Sequence, residues 1–194
     1  MKFEVVITSG KNNRAPIGVF IKDTKKDKID NNKEIILHLY EGSHTYDNLK
    51  NEDYFIINIC SPYLIAESVL DDNGNYEYFD YNNHSIPYLK DSYKICLAKI
   101  NDRKIIESKN EYGSSKLMIV EGTIISEKEL KSPSFEPYNR AEGLIVEMAV
   151  LYSRLNIVDD EKRKKIKEEM ENYFKTIKKV GSKKYIELGK KFLE

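Results

Sequence analysis

Tryptophan and glutamine are absent, and the 194 residues include only two cysteines, three histidines and five prolines. Two thiols cannot form a disulfide framework or a cysteine-rich zinc site. Cys60 and Cys96 each lie in an apolar, strand-like run and read as buried, reduced thiols of a cytoplasmic protein. His38, His44 and His84 lack ligand spacing, which argues against a structural zinc. A glycine-rich phosphate loop, a G-x-S-x-G elbow and a defensible Cys–His pair are also missing. No apolar run approaches the roughly 18 residues of a membrane helix, and the reading expects no signal peptide. Net charge is missing too: Lys plus Arg and Asp plus Glu both total 32. The balance is uneven, however. Residues 162–194 hold 12 basic against 5 acidic residues, a net of +7, which leaves −7 on residues 1–161. For the basic stretch an acidic protein surface, its own or a neighbour's, is favoured over nucleic acid.

What is present is alternation. Residues 3–8, 15–21, 34–40, 54–60, 92–100, 104–108 and 116–126 carry β-branched and aromatic residues in strand patterns. Six or seven strands with hairpin-length links, and no helix-length crossovers, predict an antiparallel β-barrel instead of a βαβ sheet. The stretches 47–52 and 63–70 have the spacing of short helices, and Asn101-Asp102-Arg103 reads as a hairpin turn. Residues 71–83, rich in Asn, Asp and Tyr, read as a surface insertion whose tyrosines cover a pocket or serve structure. Past Pro133 and Pro137 the period becomes helical, with Ala141, Leu144, Ile145, Met148, Leu151, Tyr152 and Leu155 on one face. A second helix starts at Asp159-Asp160-Glu161 and stops at Gly181, and Ser182 caps a third. The expected class is α+β, a barrel over residues 1–132 followed by a helical region over 133–194.

Three features invite chemistry. The turn Gly42-Ser43-His44-Thr45-Tyr46-Asp47-Asn48 brings hydroxyls and an amide in close succession after a strand, a set that suits an anion such as phosphate. The alternative is an ordinary loop in which Ser43 or Thr45 caps a helix. Gly18 interrupts a strand, which fits either a bulge or the close approach of a flat ligand to bare backbone. Asn58 is the one polar residue of its strand, and a buried amide must find partners in the backbone or in a ligand.

The ordered set Thr8-Ser9-Gly10, Arg14-Ala15-Pro16-Ile17-Gly18-Val19, Tyr40 to Leu49, Phe55-Ile56-Ile57-Asn58, Tyr93-Lys94-Ile95-Cys96 and Tyr138-Asn139-Arg140-Ala141-Glu142 resembles the FMN-binding split-barrel proteins, the flavin reductase-like superfamily. Within it the likeness is to the largely archaeal DUF447 family. The resemblance implies a six-stranded split barrel and a homodimer with one FMN in each interface groove. Ser43, Thr45 and Asn48 match positions that hold the FMN phosphate, and Ala15, Pro16, Ile17 and Gly18 match the strand entry along the isoalloxazine. Asn58 matches the strand beneath the site, and Asn139 and Arg140 belong to the helix signature. His44 stands where flavin reductases often carry a basic residue, so the cation facing a phosphate is sought in Arg14, Lys50 or Arg140. The implied function is that of an FMN flavoprotein, an oxidoreductase with NAD(P)H or a deazaflavin as donor. No side chain is expected to act as a catalytic acid or base, since the flavin carries the hydride chemistry. The rivals are an FMN carrier or sensor without turnover, and a binding module acting through its basic tail.

Overall fold

The computed structural model describes residues 2–22, 33–110, 113–132 and 139–194. Pro133, Pro137 and Tyr138, and most of the polar loop expected over 22–33, lie outside the described residues. The chain divides into two compact units. One comprises Met1–Cys60 and Asp72–Pro133, the other Ser61–Asp71 and Ser134–Glu194. The segment Ser61–Asp71, which lies within the stretch expected to form the barrel, therefore belongs to the helical unit.

In the first unit β1 (Lys2–Ser9), β2 (Asn13–Lys22), β3 (Glu34–Tyr40), β4 (Tyr54–Ile59), β7 (Lys94–Asn110) and β8 (Gly113–Glu129) form a closed barrel in the order β1-β2-β3-β8-β7-β4. Each neighbouring pair is antiparallel. β3 shows why the pattern works: Ile35, Leu37 and Leu39 point inward while Glu34, His38 and Tyr40 face solvent, the two-residue period of a half-buried strand. β4 is apolar on both faces. Phe55 and Ile57 enter the barrel core, whereas Ile56 packs outside it with Ile95 and Leu97. That outer face is covered by a two-stranded sheet of β5 (Tyr76–Tyr81) and β6 (His84–Leu89), which contributes Ile86 and Tyr88. The short helix α1 (His44–Leu49) adds Tyr46 and Leu49 to the core of the barrel.

Two expectations change here. The insertion over 71–83 is half of a β-hairpin, turned by Asn82 and Asn83 at φ 47° and 65°, the left-handed pair of a type I′ turn. The expected hairpin at Asn101-Asp102-Arg103 is instead a register shift between Ile100 and Asp102 within the single 17-residue β7. An extra residue of this kind bends a strand and leaves it continuous.

The helical unit comprises α2 (Pro62–Glu67), α3 (Arg140–Tyr152), α4 (Asp160–Val180) and α5 (Lys183–Lys191). Ala66 joins Ala141, Ile145, Met148, Phe174 and Leu188 in its core. Asn139 caps α3 through Ala141 N–H, and Asp159 caps α4 through Lys162 N–H. Ser182 stands at the N-cap of α5 but makes no side-chain cap bond. Gly181 ends α4 in an extended conformation, φ −82°, not a left-handed one. Its lack of a side chain is needed because a Cβ would lie 2.7 Å from the Ile177 carbonyl oxygen.

Candidate functional site

One end of the barrel gathers polar residues from three separate segments. β1 ends at Ser9, the chain turns through Gly10, and β2 begins at Asn13. After β3 the chain passes Gly42, at φ +94°, and Ser43 before entering α1. Asn13 Nδ2 donates to Ser9 Oγ and to Thr45 Oγ1, both at 2.9 Å. Asn48 Nδ2 donates to the same Ser9 Oγ at 3.1 Å. Ser9 and Thr45 are fully buried and Asn48 is half-buried. Gly10 carries φ +62°, and a Cβ there would lie 2.6 Å from Asn48 Nδ2. Glycine is thus required both by the turn and by the amide lying against it. The Glu52 carboxylate accepts the Gly10 N–H at 3.0 Å, and Arg103 Nε donates to the Leu49 carbonyl at 2.7 Å while its Nη2 reaches Glu52 O. These contacts fix α1 and the residues after it to β7.

The predicted residues divide into three groups. Thr45 and Asn48 lie in one network, joined through Ser9 and Asn13, and Arg14, also buried, follows Asn13 on β2. Ser43 is exposed, and its hydroxyl caps α1, accepting from Tyr46 N–H and donating to Tyr40 O, both at 3.2 Å. For Ser43 the helix-cap alternative is therefore the one realised. His44 is exposed, with Nδ1 3.4 Å from Asp72 Oδ2, and Asp72 Oδ1 accepts the Arg14 N–H at 3.2 Å. The second group is the strip Ala15, Pro16, Ile17 and Gly18, all half-buried on β2. A Cβ on Gly18 would fall 1.8 Å from Lys2 Cε, so the bare backbone is overlaid by a lysine stem, not left open. That stem is half-exposed and ends in an ion pair with Glu4, so it is free to swing aside.

The third group is Asn58, Asn139 and Arg140. Asn58 is fully buried, and its amide is engaged by the chain itself. Nδ2 donates to Val6 O at 3.1 Å and Thr8 Oγ1 at 2.9 Å, while Oδ1 accepts from Leu89 N–H at 2.8 Å and Ser92 Oγ at 3.3 Å. Of the two sources of partners expected for Asn58, the backbone or a ligand, the chain itself supplies those seen here, from Val6, Thr8, Leu89 and Ser92. Asn139 caps α3 with Oδ1 and donates through Nδ2 to Val180 O at 2.8 Å, and Arg140 is exposed in the first turn of that helix. Both belong to the helical unit.

Both cysteines are free and buried. Burial pushes the Cys60 thiol up to about 12, with Arg14 pulling slightly the other way, and Cys96 to about 11. Neither thiol is a nucleophile near neutral pH.

Sequence reading passed over Asn13, Asp72 and Arg103 as site residues and took Ser9-Gly10 only as part of a motif. Gly10 in a strand-to-strand turn was the available signal. Asp72 lies 28 residues from His44 and 58 from Arg14, and no local pattern joins them.

Comparison with known proteins adds the family. The model described as "Protein of unknown function (DUF447) N-terminal domain" matches residues 3–131, and that described as "Protein of unknown function (DUF447)" matches 139–193. An uncharacterized protein of Methanocaldococcus jannaschii is 44% identical over 193 residues, covering 96% of this chain and 93% of its own. The crystal structure of an FMN-bound DUF447 protein from Methanosarcina mazei superposes with a TM-score of 0.79 at 19% identity, over 98% of this chain and 93% of that one. With both family models matched in order and a close relative along nearly its full length, the chain belongs to the DUF447 family.

Proposed function

We propose that this protein binds FMN and works as a flavin reductase-like oxidoreductase, as a homodimer whose second copy completes the flavin groove. The observation that carries the reading is the state of the Ser9–Asn13–Thr45–Asn48 network. Its two buried hydroxyls receive amide protons, while their own protons have no acceptor among the described residues. Hydroxyl donors left over in a buried polar cluster suit an anion. The sharing of fold with a relative that is FMN-bound supports the choice of anion.

Residues of this chain fit the phosphate end of FMN. A phosphomonoester carries about −1.5 to −2 charges at neutral pH and needs a cation as well as neutral donors. Arg14, whose side chain leaves β2 on the face of its pair partner Thr8, is one source for it, and the N–H of Arg14 and the ring of His44 already hold a carboxylate. Lys50 follows α1 on the exposed side, and Arg140 lies in the other unit. The half-buried strip of Ala15 to Gly18 offers backbone for the flat part of the ligand once the Lys2 stem moves. When bound, FMN supplies the capacity to accept and pass on a hydride or electrons; the protein binds, orients and shields it. A cavity of about 110 Å³ lined by Gly10, Glu52, Tyr54 and His84 lies at the same end. It is well below the 300–1,000 Å³ typical of ligand pockets, which is why the reading includes a second copy.

The test is spectroscopic. The protein as purified, or after FMN addition and desalting, should show flavin absorbance at one FMN per chain and sediment as a dimer. Anaerobic addition of NADH, NADPH or a reduced deazaflavin should bleach it. Bound flavin that no donor reduces would make the protein a carrier or sensor, and a colourless monomer without affinity for FMN would end the reading.

A further inference from the structure

We propose that Asp72 is a built-in competitor for the phosphate of the ligand, a carboxylate that occupies the donors of Arg14 and His44 until an anion displaces it. The proposal rests on the FMN reading of the same site and adds how that site is regulated.

The carboxylate makes two contacts, and both are with residues expected to face the ligand. Oδ1 accepts the Arg14 N–H at 3.2 Å and Oδ2 meets His44 Nδ1 at 3.4 Å. Both are long for charge-assisted bonds, which favour about 2.7–2.9 Å, and the side chain is 44% exposed. An anion with more charge and more oxygens can therefore exchange for it. The position of Asp72 is set by its neighbours in the hairpin. Tyr76 donates its phenol to the Asp72 carbonyl at 2.9 Å and lies 3.1 Å from the Asn12 carbonyl, while the Tyr78 phenol reaches Asn12 Oδ1 at 2.9 Å. Residues 72–78 thus form a strap tied to the turn between β1 and β2; of its two carboxylates, Glu77 is held by Lys90 and Tyr88, and Asp72 lies on the anion-binding donors. A negative charge held there repels a phosphate and leaves a ligand without phosphate unaffected.

The experiment measures dissociation constants for FMN and riboflavin, by quenching of flavin fluorescence, on the full chain and on Asp72→Asn. The asparagine keeps the acceptor for Arg14 N–H and the shape of the strap, so the fold is retained. Removing one like charge at this range in a partly screened site should tighten FMN by about tenfold. Riboflavin should bind both proteins alike, within about twofold. Tyr76→Phe, which unties the strap without changing charge, should shift FMN in the same direction by a smaller factor. Equal FMN affinity in the wild type and Asp72→Asn overturns the proposal and leaves the FMN reading standing. Equal tightening of riboflavin and FMN overturns it as well, since the strap would then act by bulk. Failure of both proteins to bind FMN sinks the reading and the proposal together.

Discussion

Thr8 and Ser9 are consecutive on β1, yet they belong to polar clusters of opposite character. Thr8 donates to Pro87 O at 2.6 Å and accepts from Asn58, whose amide is in turn saturated by Val6, Leu89 and Ser92. Ser9 points to the other face, as alternation requires, and joins Asn13, Thr45 and Asn48 in a network with hydroxyl protons left over. Both clusters are built of Ser, Thr and Asn, and both are largely buried. The difference lies in completeness. A buried amide with every donor and acceptor engaged holds strands together; one step along the same strand, a network with donors in excess among the described residues is the one proposed to take a ligand. Residue type alone does not separate the two roles, and the partners of Asn58 became visible only in the fold.

Four measurements can break or sharpen that contrast. The largest effect belongs to the closed side, where Cys60 follows β4. Its thiol is pushed up to about 12 from 9.0 by burial, so the folded chain keeps a proton that the unfolded chain gives up. Stability should be whole below pH 9 and fall between pH 9 and 12 by about 4 kcal/mol. Urea midpoints across that range should show the decline, and Cys60→Ala should flatten it, leaving the smaller parts due to Cys96 at about 11 and Tyr88 at about 12. Next, Asn58→Ala removes four partners at once and strands buried groups of Leu89 and Ser92. It should cost about 3 kcal/mol of unfolding free energy, with FMN affinity of the remaining folded protein unchanged within twofold. A loss of affinity beyond that would place Asn58 with the ligand after all.

Gly10→Ala puts a Cβ at a positive φ and against the Asn48 amide, and should cost about 2 kcal/mol together with most FMN binding. Stability lost with binding intact would detach the turn from the site. The smallest change, Thr45→Val, keeps the shape and removes one hydroxyl. It should cost about 1 kcal/mol of stability and weaken FMN about tenfold while leaving riboflavin nearly unchanged. An unaltered FMN constant would show that the open cluster is merely another piece of scaffold.

Much of the fold was legible because its signals are local. β3 falls at the predicted residues 34–40 since Ile35, Leu37 and Leu39 alternate without interruption. Asn139 and Asp159 cap the helices predicted to start beside them. The hairpin of β5 and β6 was hidden by its composition: an Asn-Asn turn within a run of Asn, Asp and Tyr resembles a loop until its tyrosines are seen to pack. The turn-like Asn101-Asp102-Arg103 misled because a bulge and a turn draw on the same residues. At the site, Thr45 and Asn48 were readable from one loop, whereas Asn13 meets Thr45 across 32 residues, Asp72 meets Arg14 across 58 and Arg103 meets Leu49 across 54. Those contacts are products of topology, and no window along the chain contains them.

The excursion of Ser61–Asp71 has a bearing on folding order. Because Ala66 of that stretch is interred with Ile145 and Phe174, which are contributed some 80 and 110 positions later, the helical unit cannot close its core until most of the chain has been made. A ribosome must release nearly the entire polypeptide before α2 meets its companions. Until then the nascent barrel carries an unsheathed greasy loop in its middle, so cutting the gene after residue 132 should yield a sticky half and not a minimal barrel.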